Sequence, residues 1–98
     1  MIVCIIGSRS YSNYEKVEYV LSNLNIDKLL IHNSSVDGAD KLVKAYADKH
    51  NIAMEIGESK VNIKSADIVL AFWDCISSGT KRLIDFSLKM NKTVTIVP

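Results

Sequence analysis

Three short segments of this chain group residue types that bind anions or move protons. The first, Gly7-Ser8-Arg9-Ser10-Tyr11, combines a glycine that permits close backbone approach, two hydroxyls and a guanidinium suited to bidentate contact with a phosphate. The second, Trp73-Asp74-Cys75-Ile76-Ser77-Ser78-Gly79-Thr80, runs from an apolar stretch into a helical pattern, where the N–H groups of a first helical turn form an anion site. The third, His32-Asn33-Ser34-Ser35-Val36-Asp37-Gly38, adds an imidazole and further hydroxyls ahead of another helical pattern. Each residue also has a plainer reading. Ser77 or Ser78 serves as an N-cap, and Gly7 or Gly79 as a tight turn. Trp73 is a core residue or a stacking platform for a base. His32 is a hydrogen-bonded core histidine or a general acid/base. Asp74 binds a ribose hydroxyl or acts as a base, while Asp40 faces solvent or caps the helix it opens. Arg9 is harder to explain by packing, because Lys outnumbers Arg ten to two and Arg9 follows the end of the first apolar run, where the fold predicts a ligand. The candidate ligand contacts are therefore Gly7, Ser8, Arg9, Ser10, Tyr11, His32, Asn33, Ser34, Gly38, Trp73, Asp74, Ser77, Ser78, Gly79 and Thr80. No catalytic residue, metal ligand or cofactor is assigned.

The elements that position these segments follow from periodicity. Apolar, β-branched runs at residues 2–6, 28–32, 52–56, 67–72 and 93–97 read as strands. Between them, Val17, Val20, Leu21 and Leu24 form one helical stripe, with Ser12 and Glu15 ahead of it as a capping box. Ala39, Leu42, Val43, Tyr46 and Ala47 form a second stripe. A third helix starts near Ser78 and turns Leu83, Ile84, Ser87, Leu88 and Met90 inward. Asn25, Asn51 and Asn91 follow these helices, and Asn tolerates the left-handed conformation that closes a helix.

Strands apolar on both faces and alternating with helices predict an α/β fold, a small Rossmann-like three-layer domain over residues 1–98 with a parallel five-stranded sheet in the order 3-2-1-4-5. In such a sheet the ligand crevice lies beyond the carboxyl ends of the strands where the order reverses, between strands one and four. The first two segments named above meet there. The link from Gly57 to Ala66 is only ten residues long, too short for a packed helix of three turns, so one crossover helix is expected to be missing. That would leave part of one face bare and predicts a homo-oligomer built over the gap.

Composition narrows the function further. Among 98 residues, twelve Lys and Arg against eleven Asp and Glu give a net charge of +1, without the basic footprint of a nucleic-acid or membrane-surface binder. The apolar runs are far shorter than a membrane span, and the start, Met1 to Ile6, reads as a strand rather than a signal peptide, which predicts a cytoplasmic protein. Cys4 and Cys75 lack CxxC spacing and read as reduced thiols. The absence of GxGxxG disfavours ordinary dinucleotide oxidoreduction.

Taken together, Ile5-Ile6-Gly7-Ser8-Arg9, Ile31-His32 with Gly38-Ala39-Asp40 and Tyr46-Ala47, and Ala66-Asp67 leading through Ala71-Phe72-Trp73-Asp74 to Ser78-Gly79-Thr80 resemble the SLOG superfamily of Rossmann-like proteins. That superfamily includes DprA, the LOG phosphoribohydrolases and short YspA-like proteins, and the resemblance runs nearly end to end. It implies that Gly7, Ser8, Arg9, Ser78, Gly79 and Thr80 contact a nucleotide or a nucleotide-derived molecule. Two departures stand out. Asn33-Ser34 replaces a Gly-Gly pair after the second strand, and Leu83 occupies the position of the catalytic Glu of the LOG enzymes. Without that carboxylate, N-glycosidic cleavage lacks its central group. The expected function is non-catalytic binding, or sequestration, of a nucleotide-derived signal such as an ADP-ribose-type molecule, for instance as a viral sponge against nucleotide-signalled defence in an infected cell. The alternative is a small nucleotide N-glycosidase, transferase or hydrolase with Asp74 or His32 as base. A DprA-like single-stranded DNA binder is disfavoured by the charge balance.

Overall fold

Every apolar run expected to be a strand pairs in one parallel sheet. The strands are β1 (Ile2–Gly7), β2 (Lys28–Ile31), β3 (Ala53–Ile56), β4 (Ile68–Phe72) and β5 (Thr93–Val97). They lie in the order β3-β2-β1-β4-β5, as the alternation predicts. The computed structural model describes residues 1–33 and 37–98; the expected ligand contact Ser34 lies outside the described residues, with Ser35 and Val36. The helices are α1 (Tyr14–Ser22), α2 (Ala39–His50), α3 (Ser59–Ser65) and α4 (Ser78–Lys89). None of the described helices is long and apolar enough to cross a membrane.

The period-2 alternation of the central strands builds two cores. Val3 and Ile5 of β1, Leu29 and Ile31 of β2, and Leu70 and Phe72 of β4 face α1 and α2, where Val17, Leu21, Val43 and Tyr46 cover them. Cys4 and Ile6, Leu30, and Val69 and Ala71 point the other way, against Ile63 of α3 and Ile84 of α4. The middle three strands are buried on both faces, which explains why their sequences read as continuous apolar runs. The outer strands β3 and β5 are mostly exposed and carry polar or charged residues at Glu55, Thr93 and Thr95.

The expectation of a missing crossover helix is corrected: the link holds α3, seven residues long. From β3 back to β4 the chain crosses three strand spacings, about 14 Å, and seven helical residues advance about 10 Å, so a two-turn helix suffices. Glu58 caps it with both carboxylate oxygens, accepting from the N–H groups of Lys60 and Val61 at 3.1 and 3.2 Å. Lys92 Nζ donates to the carbonyls of Lys64 and Ala66 at its other end. Ile63 is fully buried in the face that was expected to be bare, so the argument for an oligomer built over that gap falls with the gap.

Smaller expectations also shift. Asn13, not Ser12, caps α1: its side-chain oxygen accepts from Lys16 N, and the helix begins one residue later than the capping box requires. Asn51 and Asn91 take positive φ of 54° and 58°, as expected of helix stops. Asn25 does not, because α1 already ends at Ser22 with Asn23 as its C-cap. In α4 the face on the sheet carries Thr80, Ile84 and Ser87, which rotates Leu88 and Met90 outward to 55% and 36% exposure.

Candidate functional site

β1 and β4 are neighbours, and their outgoing chains leave toward opposite faces: the chain after β1 toward α1, the chain after β4 toward α4. The opening between them is the crevice expected at the switch point. It comprises a narrow recess of about 170 Å³ beside the end of β2 and a wider groove of about 530 Å³ beside the start of α4. The groove is within the range of small-molecule sites. Gly7, Ser8, Arg9, His32, Ser59 and Leu83 line both parts.

The frame is a hydrogen-bonded knot between the loops after β1 and β4. Ser8 is 2% exposed, and its hydroxyl accepts from Asp74 N at 3.2 Å and lies 3.3 Å from the Thr80 hydroxyl. The Ser8 carbonyl accepts from Tyr11 N and from Ala39 N, the first N–H of α2. Ser8 and Thr80 therefore hold the walls together, with their side chains turned away from solvent. Asp74 is the second part of the knot. One carboxylate oxygen accepts from the N–H groups of Ile76 and Ser77, and the other from the hydroxyls of Ser10 and Ser77. The Ser10 hydroxyl, first among these donors, helps hold the Asp74 carboxyl well below the usual carboxylate range. A carboxylate with four donors and a depressed pKa is a poor base, so the role of base considered for Asp74 does not fit its geometry.

Two glycines among the expected ligand contacts prove to be packing positions. A Cβ on Gly7 would stand 2.3 Å from Ala39 Cβ and 2.8 Å from the Phe72 carbonyl oxygen, so Gly7 lets α2 close on the sheet. Gly38 has φ of +120° and leaves no room against Arg9 Cα and the Ser8 carbonyl oxygen, both 2.5 Å from where its Cβ would be. Gly79 differs, since nothing lies within 4 Å of its Cβ position and it opens onto the groove. Tyr11 is 7% exposed, packs its ring on Phe72 with centroids 5.4 Å apart and donates its hydroxyl to the Pro98 carbonyl. Trp73 is half-buried against the core on the α4 side, and its indole N–H donates to the Ser77 carbonyl, which makes it part of the frame rather than of the cleft wall.

What remains available to a ligand is a smaller set. Arg9 is exposed, lines recess and groove, and makes no hydrogen bond or ion pair among the described residues. Opposite it, α4 begins at Ser78 with Ser77 as N-cap, and the Ser77 hydroxyl is committed to Asp74 instead of the helix N–H groups. The first-turn N–H groups of Ser78, Gly79 and Thr80 have no side-chain acceptor among the described residues. By contrast, the start of α3 is already occupied by Glu58. Arg9 and, from the first turn of α4, Gly79 and Thr80 line the same groove.

At the recess end, His32 is exposed and its Nδ1 lies 3.3 Å from the Gly57 carbonyl oxygen. Its backbone N–H and that of Asn33 both donate to Asp40 Oδ2, at 3.1 and 2.9 Å. Asp40 therefore neither faces solvent nor caps its own helix: it reaches from the first turn of α2 to the carboxyl end of β2 and lines the recess. Burial pushes its carboxyl above the usual range, against the lowering effect of the two backbone donors and His32. Ser59 also lines the cleft, brought there by the α3 that periodicity did not reveal. Leu83, one turn into α4, lines both recess and groove. No three His, Cys, Asp or Glu side chains converge into a metal-binding group among the described residues. No family model, curated protein or solved structure matches the chain.

Proposed function

We propose that this chain binds a nucleotide-derived small molecule, of the ADP-ribose type or a simpler nucleoside phosphate, in the cleft between β1 and β4 and releases it unchanged. One observation carries the reading. The guanidinium of Arg9, unpaired among the described residues, shares a groove of nucleotide size with the open first turn of α4, and the apolar side chain of Leu83 lines both groove and recess. Guanidinium, free N–H groups and helix dipole together suit a phosphate. The leucine supplies neither nucleophile nor proton transfer, and the nearby Asp74 is saturated by its own donors. Such a protein acts by holding its ligand, as a sequestering or regulatory binder.

The test is incubation with nucleoside monophosphates, NAD and ADP-ribose, followed by denaturation and mass spectrometry of the small molecules. Intact ligand retained in stoichiometric amount is the expected result. Released base or sugar would establish turnover and overturn the reading, as would failure of the whole panel to bind.

A further inference from the structure

The recess end of the cleft holds a carboxylate that the anion end does not explain. Asp40 is the second residue of α2, and α2 is set against the sheet by the bond from Ala39 N to the Ser8 carbonyl. From there its carboxylate lies over the carboxyl end of β2, where Oδ2 accepts from His32 N and Asn33 N. Oδ1 has no hydrogen-bond partner and no cation within ion-pair distance among the described residues, yet the side chain is half-buried and lines the recess. An ionised oxygen held in a partly dry place by two backbone bonds is an acceptor with spare capacity, and hydroxyl donors satisfy it well. In dinucleotide-binding sheets an acidic side chain at the end of the second strand pairs with ribose hydroxyls. Here a carboxylate reaches the corresponding place from the following helix instead.

We infer that Asp40 is the specificity-determining contact for the sugar: its free oxygen accepts from the 2′- and 3′-hydroxyls of a ribose whose 5′-phosphate lies toward Arg9. The ligand class narrows to ribonucleotide derivatives with an open vicinal diol, and deoxy forms or forms closed at these hydroxyls are excluded. This rests on the nucleotide-binding reading above. Two features of the recess support the direction of the ligand. Arg9 and Asp40 line the same recess, so it has one end for an anion and one for donors. Leu83, which lines the same recess, offers an apolar surface to the sugar ring.

The experiment is calorimetric titration of the full chain and of Asp40→Asn with AMP, ADP-ribose and 2′,3′-dideoxy-AMP. The substitution keeps an oxygen for the two backbone N–H groups and replaces the free acceptor with an amide N–H₂. The wild-type chain is expected to bind AMP or ADP-ribose at least tenfold more tightly than 2′,3′-dideoxy-AMP, the scale of a hydrogen bond to a charged group. In Asp40→Asn that preference shrinks below threefold while the affinity for 2′,3′-dideoxy-AMP holds. Equal wild-type affinities for AMP and 2′,3′-dideoxy-AMP overturn the inference and leave nucleotide binding standing, and this arm needs no variant to fold. Full preference retained in Asp40→Asn also overturns it. Failure of all three probes to bind overturns the nucleotide reading itself.

Discussion

Gly7→Ala separates a packing glycine from a ligand-binding one. The added Cβ would meet Ala39 Cβ at 2.3 Å and the Phe72 carbonyl oxygen at 2.8 Å. Carbon atoms in ordinary contact sit about 3.5–4.0 Å apart, so α2 and β1 must separate by roughly 1.2 Å or more. Neither neighbour is a flexible side-chain end, and α2 contributes Val43, Tyr46 and Ala47 to the core that would open. Overpacking of this kind costs about 1–3 kcal/mol, and backbone involvement places it near 2–3 kcal/mol. With a urea slope of ~1.5 kcal/mol/M, the unfolding midpoint should fall by about 1.3–2 M. The same substitution in an Ala39→Gly background should cost about 1 kcal/mol less, with the clash on Phe72 persisting. Gly79→Ala is the contrast: its Cβ enters open space in a helix, so stability should rise by about 0.4–1 kcal/mol. Urea denaturation followed by circular dichroism reads all four variants. A cost for Gly7→Ala below about 0.5 kcal/mol, or strict additivity with Ala39→Gly, refutes the packing argument.

Other outcomes follow from the site and its frame. Arg9→Ala should weaken nucleotide binding by about 1.5–3 kcal/mol with little effect on the thermal midpoint, because the guanidinium has no partner among the described residues; unchanged affinity by calorimetry removes Arg9 from the site. The Asp74 carboxyl is lowered from 3.8 by the Ser10 hydroxyl and the N–H groups of Ser77 and Ile76. Its stabilisation is therefore complete above 3.8 and lost as pH falls through the lower folded value. Asp74→Asn should melt at lower temperature than wild type at pH 7, with the gap narrowing below about pH 4, and a gap constant from pH 7 to 2 contradicts a stabilising role for the ionised carboxylate in the knot between the loops. Cys4 is 0% exposed, and burial, with Asp40 adding, pushes its thiol up to about 12, whereas Cys75 is exposed. A thiol reagent should label Cys75 in the native protein and Cys4 only on unfolding, so equal native rates at both would contradict the core placement of Cys4.

The strand order and the position of the cleft were legible in the residues because they depend on local patterns and on chirality. Runs such as Ile2–Ile6 and Asp67–Phe72 are apolar at every position because both faces of a central parallel strand are covered. Right-handed crossovers narrow the orders open to such a sheet, and the Rossmann-like order 3-2-1-4-5 places Arg9 beside the Ser78 to Thr80 turn. The short helix α3 was not legible. Only Ile63 and Ala66 contribute apolar surface, its buried neighbour Asn62 is polar, and its ends are held by Glu58 and by Lys92 from far along the chain.

The roles of individual site residues divide along the same line. From the residues alone come their chemistry and their gathering at the switch point: a guanidinium, hydroxyls, an imidazole and a helix start. Tertiary structure decided which of them are free. Ser8, Thr80 and Asp74 have their hydrogen bonds committed to one another and to nearby backbone, Tyr11 is in the core, and Gly7 and Gly38 are small because another segment of backbone or Cβ lies within 3 Å. Asp40, read from sequence as a surface or capping residue, becomes a cleft acceptor only because α2 docks on the Ser8 carbonyl and swings it over the end of β2. Spacing along a chain specifies helix faces and strand faces, but whether a polar atom is satisfied depends on partners dozens of residues away, and only the packed chain brings those within reach.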